Sequence, residues 1–253
     1  MKTTRVYDWP TRILHWLFAG SFVAAFFIAK SFDDESAYFP VHMLLGLALV
    51  GVVSLRVVWG FIGSRYARFS SFRLRPADLV TYLKNMLGGK GERFLGHNPA
   101  SSWAAITMMA LTLALGITGY LMTAVGNQEL IEEVHELLAN AFFVVVVAHV
   151  AGVLLHTMIH RDWIGLSMIH GGKRPVEQEP GIARNHWAVG LLVLSMAGGF
   201  FVHLYQNYDP TRQTLNLIGT TLQLGEAEEN ERDASGNKRH AGKDSRPDRD
   251  DDD

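Results

Sequence analysis

Five long apolar stretches alternate with polar connections along the chain, at roughly residues 12 to 30, 41 to 63, 102 to 124, 132 to 157 and 186 to 205. A helix needs about 20 consecutive apolar residues to cross the hydrocarbon core of a bilayer, so each stretch is read as a membrane span. Only 48% of all residues are hydrophobic. A polar loop between spans two and three and a charged C-terminal segment dilute the average, and the blocks carry the signal.

The connections set an orientation. The loop after span two holds Arg65, Arg68, Arg73, Arg75, Lys84, Lys90 and Arg93, whereas GNQELIEE after span three has no basic residue. Basic loops stay on the cytoplasmic side. Lys2, Arg5 and Arg12 before span one and Arg161, Lys173, Arg174 and Arg184 between spans four and five fall on that same side. The expectation is a multi-pass membrane protein, its N-terminus cytoplasmic and its C-terminal tail on the opposite side. The first apolar run lacks a small-residue cleavage site and is read as a retained helix.

Within the basic loop, Leu79, Val80, Leu83, Met86 and Leu87 make one helical stripe, the pattern of a helix lying on the membrane surface or packed on the bundle. Residues 206–253 are read as a polar, largely disordered acidic tail; from Glu226 to Asp253 apolar residues are almost absent. The absence of cysteine excludes disulfides, iron–sulfur clusters on thiolates and covalently attached haem. A net charge of −2 gives no basic excess for nucleic acid.

Ionisable side chains within a membrane need a reason to be there, and in this chain they are mostly histidines. Span one carries His15, span two His42, span four His135, His149 and His156, and span five His186 and His203. His135 and His149 are 14 residues apart, which places both on one helix face about 21 Å apart along the axis. One helix can then serve two sites stacked across the bilayer. Depth pairs His42 with His135 near the outer face, and His15 with either His149 or His156 near the inner face. Depth alone does not choose between the last two. Two imidazoles on one iron, without a thiol, are the ligand set of a b-type haem. Gly46 and Gly152, near His42 and His149, would leave room for a flat ring. Arg56 lies 14 residues after His42 on the same face, placed to meet haem propionates or to snorkel to headgroups. His160, His170, His186 and His203 lie near span boundaries and are read as structural.

These residues resemble a known family, the bacterial cytochrome b561 and nickel–iron hydrogenase b-type cytochromes. The resemblance rests on YDWPTRILHW around His15, HMLLGLALVGVVSLRVVWGFIGSRYARFSSF from His42, VHELLANAFFVVVVAHVAGVLLH across His135 and His149, and MIHGGKR near residue 170. WGFIGSRYARF is most similar to the hydrogenase-type branch. The resemblance implies an all-α, integral membrane four-helix haem-binding bundle over residues 1–175; the fifth apolar stretch, beyond the reach of the resemblance, adds a transmembrane helix at 176–205. It implies His15, His42, His135 and His149 as axial ligands, paired His15/His149 and His42/His135, and so selects His149 over His156.

It also implies two b-type haems, quinone as a diffusible substrate, and electron relay between the quinone pool and a redox partner such as a c-type cytochrome, a hydrogenase or another dehydrogenase. Such a subunit has no substrate site of its own beyond quinone. A self-contained quinone reductase or superoxide oxidase of the cytochrome b561 type is the alternative. A histidine-lined metal or proton transporter is a third reading. The spans hold almost no Asp or Glu away from their ends, which argues against it.

Overall fold

The structure is a computed structural model, and it describes residues 3–33, 36–125, 129–177, 179–217 and 219–224. Five long helices dominate: α1 (Trp9–Ser31), α2 (Phe39–Ile62), α4 (Pro99–Val125), α5 (Glu129–His160) and α7 (Trp187–Gln206). All five are long and apolar enough to cross a membrane, and each extends an expected span by a few residues or less. Their outward faces carry Val23, Phe27, Val58, Ile117, Val144 and Leu191, side chains that a multi-pass membrane protein turns toward lipid.

Helix starts are written locally. Asp8 caps α1, its carboxylate accepting from the Thr11 backbone N–H at 3.0 Å, and Pro10 fills the first turn, where no N–H is needed. Pro40 and Pro99 open α2 and α4 in the same way, and the Asn98 side-chain oxygen accepts from the Ser101 N–H at 2.7 Å. The chain runs up and down, so the starts of α1, α4 and α7 share one end of the bundle with the finishes of α2 and α5.

That end carries the arginine-rich loop and is called here the basic end. A short strand β1 (Thr4–Arg5) pairs antiparallel with β2 (Gly172–Lys173). The Val6 and Tyr7 N–H groups both donate to the Gly171 carbonyl, and the Trp9 N–H to that of Asn185. Gly171 ends the short helix α6 (Ser167–His170) with φ of +82°, and a Cβ there would meet the Tyr7 carbonyl oxygen at 2.6 Å. Only glycine accommodates both demands. Asp8, fully buried, also accepts from the Trp59 indole at 3.4 Å, which ties the start of α1 to the finish of α2.

The helix in the basic loop, α3 (Pro76–Leu87), buries Tyr82 and Met86 and leaves Val80, Leu83 and Leu87 exposed. The anticipated stripe is therefore split. One edge packs on the bundle and the other points outward.

α7 packs within the bundle, against α1 and α2. Val193 joins Leu14, Val52 and Trp59 in one buried cluster, and Phe200 lies across Gly51. Beyond it the structure departs from the polar tail placed at 206–253. Strands β3 (Tyr208–Asp209), β4 (Thr214–Leu217) and β5 (Thr220–Gln223) form an antiparallel sheet. Leu215, Leu222 and Leu224 are buried against Leu44, Ala48 and Leu204. Alternation along TLNL and TTLQL turns every second residue inward, enough apolar area to hold a short sheet on the end of α2. The tail expected from Glu226 onward lies outside the described residues.

Candidate functional site

Inside the bundle His42 and His135 face one another toward one end, and His15 lies within electrostatic reach of His149 toward the other. At the end away from the basic loop, His42 in the first turn of α2 and His135 near the start of α5 stand with ring centroids 6.3 Å apart and planes at 77°. Metal–imidazole bonds of about 2.0–2.1 Å on both sides of one metal, plus about 1 Å from each nitrogen to its ring centre, call for roughly 6 Å. The pair fits a single iron held axially.

Both rings are oriented through their other nitrogen. His42 Nδ1 meets the Ala25 carbonyl oxygen of α1 at 2.9 Å, and His135 Nδ1 meets the Thr118 hydroxyl of α4 at 2.8 Å. This is the support that metal-binding imidazoles need to present Nε2. Gly119 lets the His135 ring lie against α4, and a Cβ added at half-buried Gly46 would meet no atom within 4 Å. Open space beside His42 suits a flat macrocycle.

Toward the basic end, His15 of α1 has His149 of α5 as its electrostatic neighbour. Both rings are half-buried, and His15 also meets Trp16 edge on at 5.4 Å. A Cβ at Gly152 would likewise meet no atom within 4 Å. His156 goes elsewhere. It is buried with its ring 4.3 Å from His160, and its charged surroundings are His160, Lys173, Asp162 and Arg93.

Between the two pairs lies an aromatic layer. Phe142 is fully buried and meets Phe22 at 4.0 Å and Phe18 at 5.8 Å, while Phe26 stacks on Phe143 at 4.8 Å.

Arg56 reaches the basic end from α2. One guanidinium nitrogen donates to the Ala67 carbonyl at 3.0 Å, and the other, Nη1, is buried without a partner. The group lies over Phe69 at 5.4 Å and Phe72 at 5.9 Å. Gly60 leaves the space that the Phe69 ring occupies. A cation held over aromatic faces with a spare donor is suited to a carboxylate.

His97, absent from the sequence-based set, joins this group. It lies in the loop before α4, against Phe72 at 4.6 Å and Tyr7 at 5.8 Å. Burial first, then the charges of Lys173 and Arg56, push its pKa down to about 3, so the ring is neutral. The available sign in sequence was its position, one residue ahead of the Asn98 cap in the loop at the basic end.

The remaining histidines have ordinary surroundings. His186 begins α7 with φ of 48° and meets the Trp59 ring edge on at 5.6 Å. His203 Nδ1 faces the Asn207 amide at 3.2 Å, and His170 Nδ1 accepts from the Gly172 N–H at 3.1 Å. Among the described residues no group of three or more His, Asp or Glu side chains could hold a bare metal ion. Paired imidazoles flanked by open space and a spare guanidinium donor fit a macrocyclic iron with carboxylate arms.

The chain is 25% identical over 146 residues to "Probable Ni/Fe-hydrogenase 1 B-type cytochrome subunit" of Escherichia coli (strain K12), an alignment covering 49% of this chain and 61% of that protein. It is 26% identical over 215 residues to "Probable Ni/Fe-hydrogenase B-type cytochrome subunit" of Rhizobium leguminosarum bv. viciae, covering 67% of this chain and 88% of that one. No solved structure matches. The prokaryotic cytochrome b561 family matches residues 6–171, which include all four paired histidines, Arg56 and His97. The chain therefore belongs to the prokaryotic cytochrome b561 family, as a multi-pass membrane protein of the b-type, haem-carrying kind.

Proposed function

We propose that the chain is a di-haem b-type cytochrome of the bacterial inner membrane that relays electrons between the quinone pool and a redox partner protein. The carrying observation is the facing of His42 and His135 at 6.3 Å, with His15 set against His149 14 residues further along α5. Haem b bound at each pair would supply a one-electron couple. The chain's own residues do the rest. Two imidazoles at each pair would hold a haem iron and would leave it no open position for oxygen or substrate. Ala25 and Thr118 hold the outer rings in place. The Phe22 and Phe142 layer excludes water between the pairs, and Arg56, with its spare donor, would neutralise a haem carboxylate at the basic end.

The basic end is assigned to the cytoplasm, by its Arg65, Arg68 and Arg73 loop, and the small sheet to the periplasm. Hydrogenase is the first candidate partner, because both relatives are named as subunits of one. Nothing in the chain resembles a flavin or nucleotide site, which is why a partner is required.

The test is a reduced-minus-oxidised spectrum with haem quantification on the purified protein and on alanine variants at His15, His42, His135, His149 and His156. Two b-type haems per chain, losses at the first four and retention at His156 are the expected results. One haem, or none, would defeat the reading.

A further inference from the structure

The inference rests on His15 and His149 being an axial pair. Near that pair the fold leaves polar atoms with nothing to bond. Arg56 Nη1 and His97 Nδ1 are both buried and unpartnered, and they belong to side chains that share one aromatic surface. Phe72 has the Arg56 guanidinium at 5.9 Å and the His97 ring at 4.6 Å.

The Lys173 ammonium lies 5.0 Å from the centre of the Tyr7 ring, itself 5.8 Å from the His97 ring, and donates to the Gly96 carbonyl at 2.9 Å. His97 thus has two cations near it and is within electrostatic reach of both His15 and His149. A buried polar atom left without a partner is costly to the fold. Two of them around one ring mark the place of a ligand's polar group, and Arg56 and Lys173, against the buried Asp8 carboxylate that Arg56 also feels, favour an anion there.

We infer that His97 donates a hydrogen bond from its ring to a carboxylate of the haem held by His15 and His149, beside Arg56, and thereby sets that haem's potential. Such a donor disperses the carboxylate's negative charge. The less negative surroundings favour the iron that has accepted an electron, so removing the donor lowers the potential. His97 acts through the carboxylate and touches no reacting iron. It is a positioning and tuning residue.

The experiment is a redox titration of the purified haem-loaded protein, followed in the visible bands, with haem counted in every sample. His97→Leu is expected to keep two haems and to make reduction of one of them about tenfold less favourable, a fall of about 59 mV for a one-electron couple. His97→Gln, which can still donate, is expected to stay near the parent. The fall should persist when His135→Ala has removed the other haem. His97→Phe keeps a ring on Phe72 without a nitrogen and replaces His97→Leu should that variant not accumulate. Unchanged potentials in the Leu or Phe variant, an equal fall in His97→Gln, or a fall that vanishes with His135→Ala would each overturn the role of His97. A His15→Ala protein that still holds every haem of the parent would instead overturn the axial pair on which the inference rests.

Discussion

Phe22 and Phe142 meet edge to face with ring centroids 4.0 Å apart, and Phe142 stands seven residues from His135 and seven from His149 on one helix. Seven residues are close to two turns, so the three side chains share a face. Phe142→Ala therefore removes the filling of the layer between the histidine pairs without touching either. In well-packed cores such a truncation costs about 3–5 kcal/mol. The expected outcome is a protein with normal haem content in mild detergent and an earlier unfolding midpoint under denaturant. Parent-like stability would show that the layer does not hold the helices together.

Thr118 orients the His135 ring, so Thr118→Val, nearly equal in volume, tests orientation alone. Loss of such an outer partner typically costs 10–100-fold in metal affinity. One of the two haems is expected to bind at least about tenfold more weakly on reconstitution of the apoprotein, with the other unaffected. Equal affinities for both haems would mean that the 2.8 Å contact contributes nothing to binding.

The gap beside His42 makes Gly46 informative, because an added Cβ meets no protein atom within 4 Å. Gly46→Leu should insert into the membrane and fold, since the space exists, yet lose one haem whose ring would need the same space. Size-exclusion behaviour and haem count measure the two halves of this prediction. A Gly46→Leu protein with full haem content would place the macrocycle elsewhere.

Leu215 is fully buried under the C-terminal sheet against Leu44 and Leu204. Leu215→Asp would bury a charge without a partner, a cost that detaching the short sheet avoids. Limited proteolysis is expected to cut after Gln206 in the variant and to spare the parent, with the haem at His42 and His135 lost more readily on dilution. Parent-like protease resistance would mean that the sheet is held by its strand pairing instead of by this contact.

Much of the architecture was legible because its determinants are local. Each span is an unbroken apolar run long enough to cross a bilayer, a property of neighbouring residues alone. The 14-residue spacing of His135 and His149 reads directly as one helix face, since the helical repeat is fixed by backbone geometry. His42 and His135 could be matched by depth for the same reason, and their rings do meet in the structure; the expectation that His15 and His149 form the second pair came from the resemblance to known cytochromes.

What the chain alone did not reveal depends on contacts between distant segments. Depth on a helix does not separate His149 from His156; the packing of α5 adds that His156 lies against His160 while His15 is within electrostatic reach of His149. His97 sits in a loop without periodicity, and its importance arises only when residues 7, 72 and 173 are brought around it. The C-terminal strands read as polar because half of their residues face water, and they fold because Leu44 and Leu204 offer an apolar surface for the other half. Sequence by itself determined the helices and the histidine ladder, which follow from short-range hydrophobicity and helical geometry. Tertiary structure decided the contact of His42 with His135, the unpartnered donors and the sheet, because burial is a property of what the rest of the chain brings near.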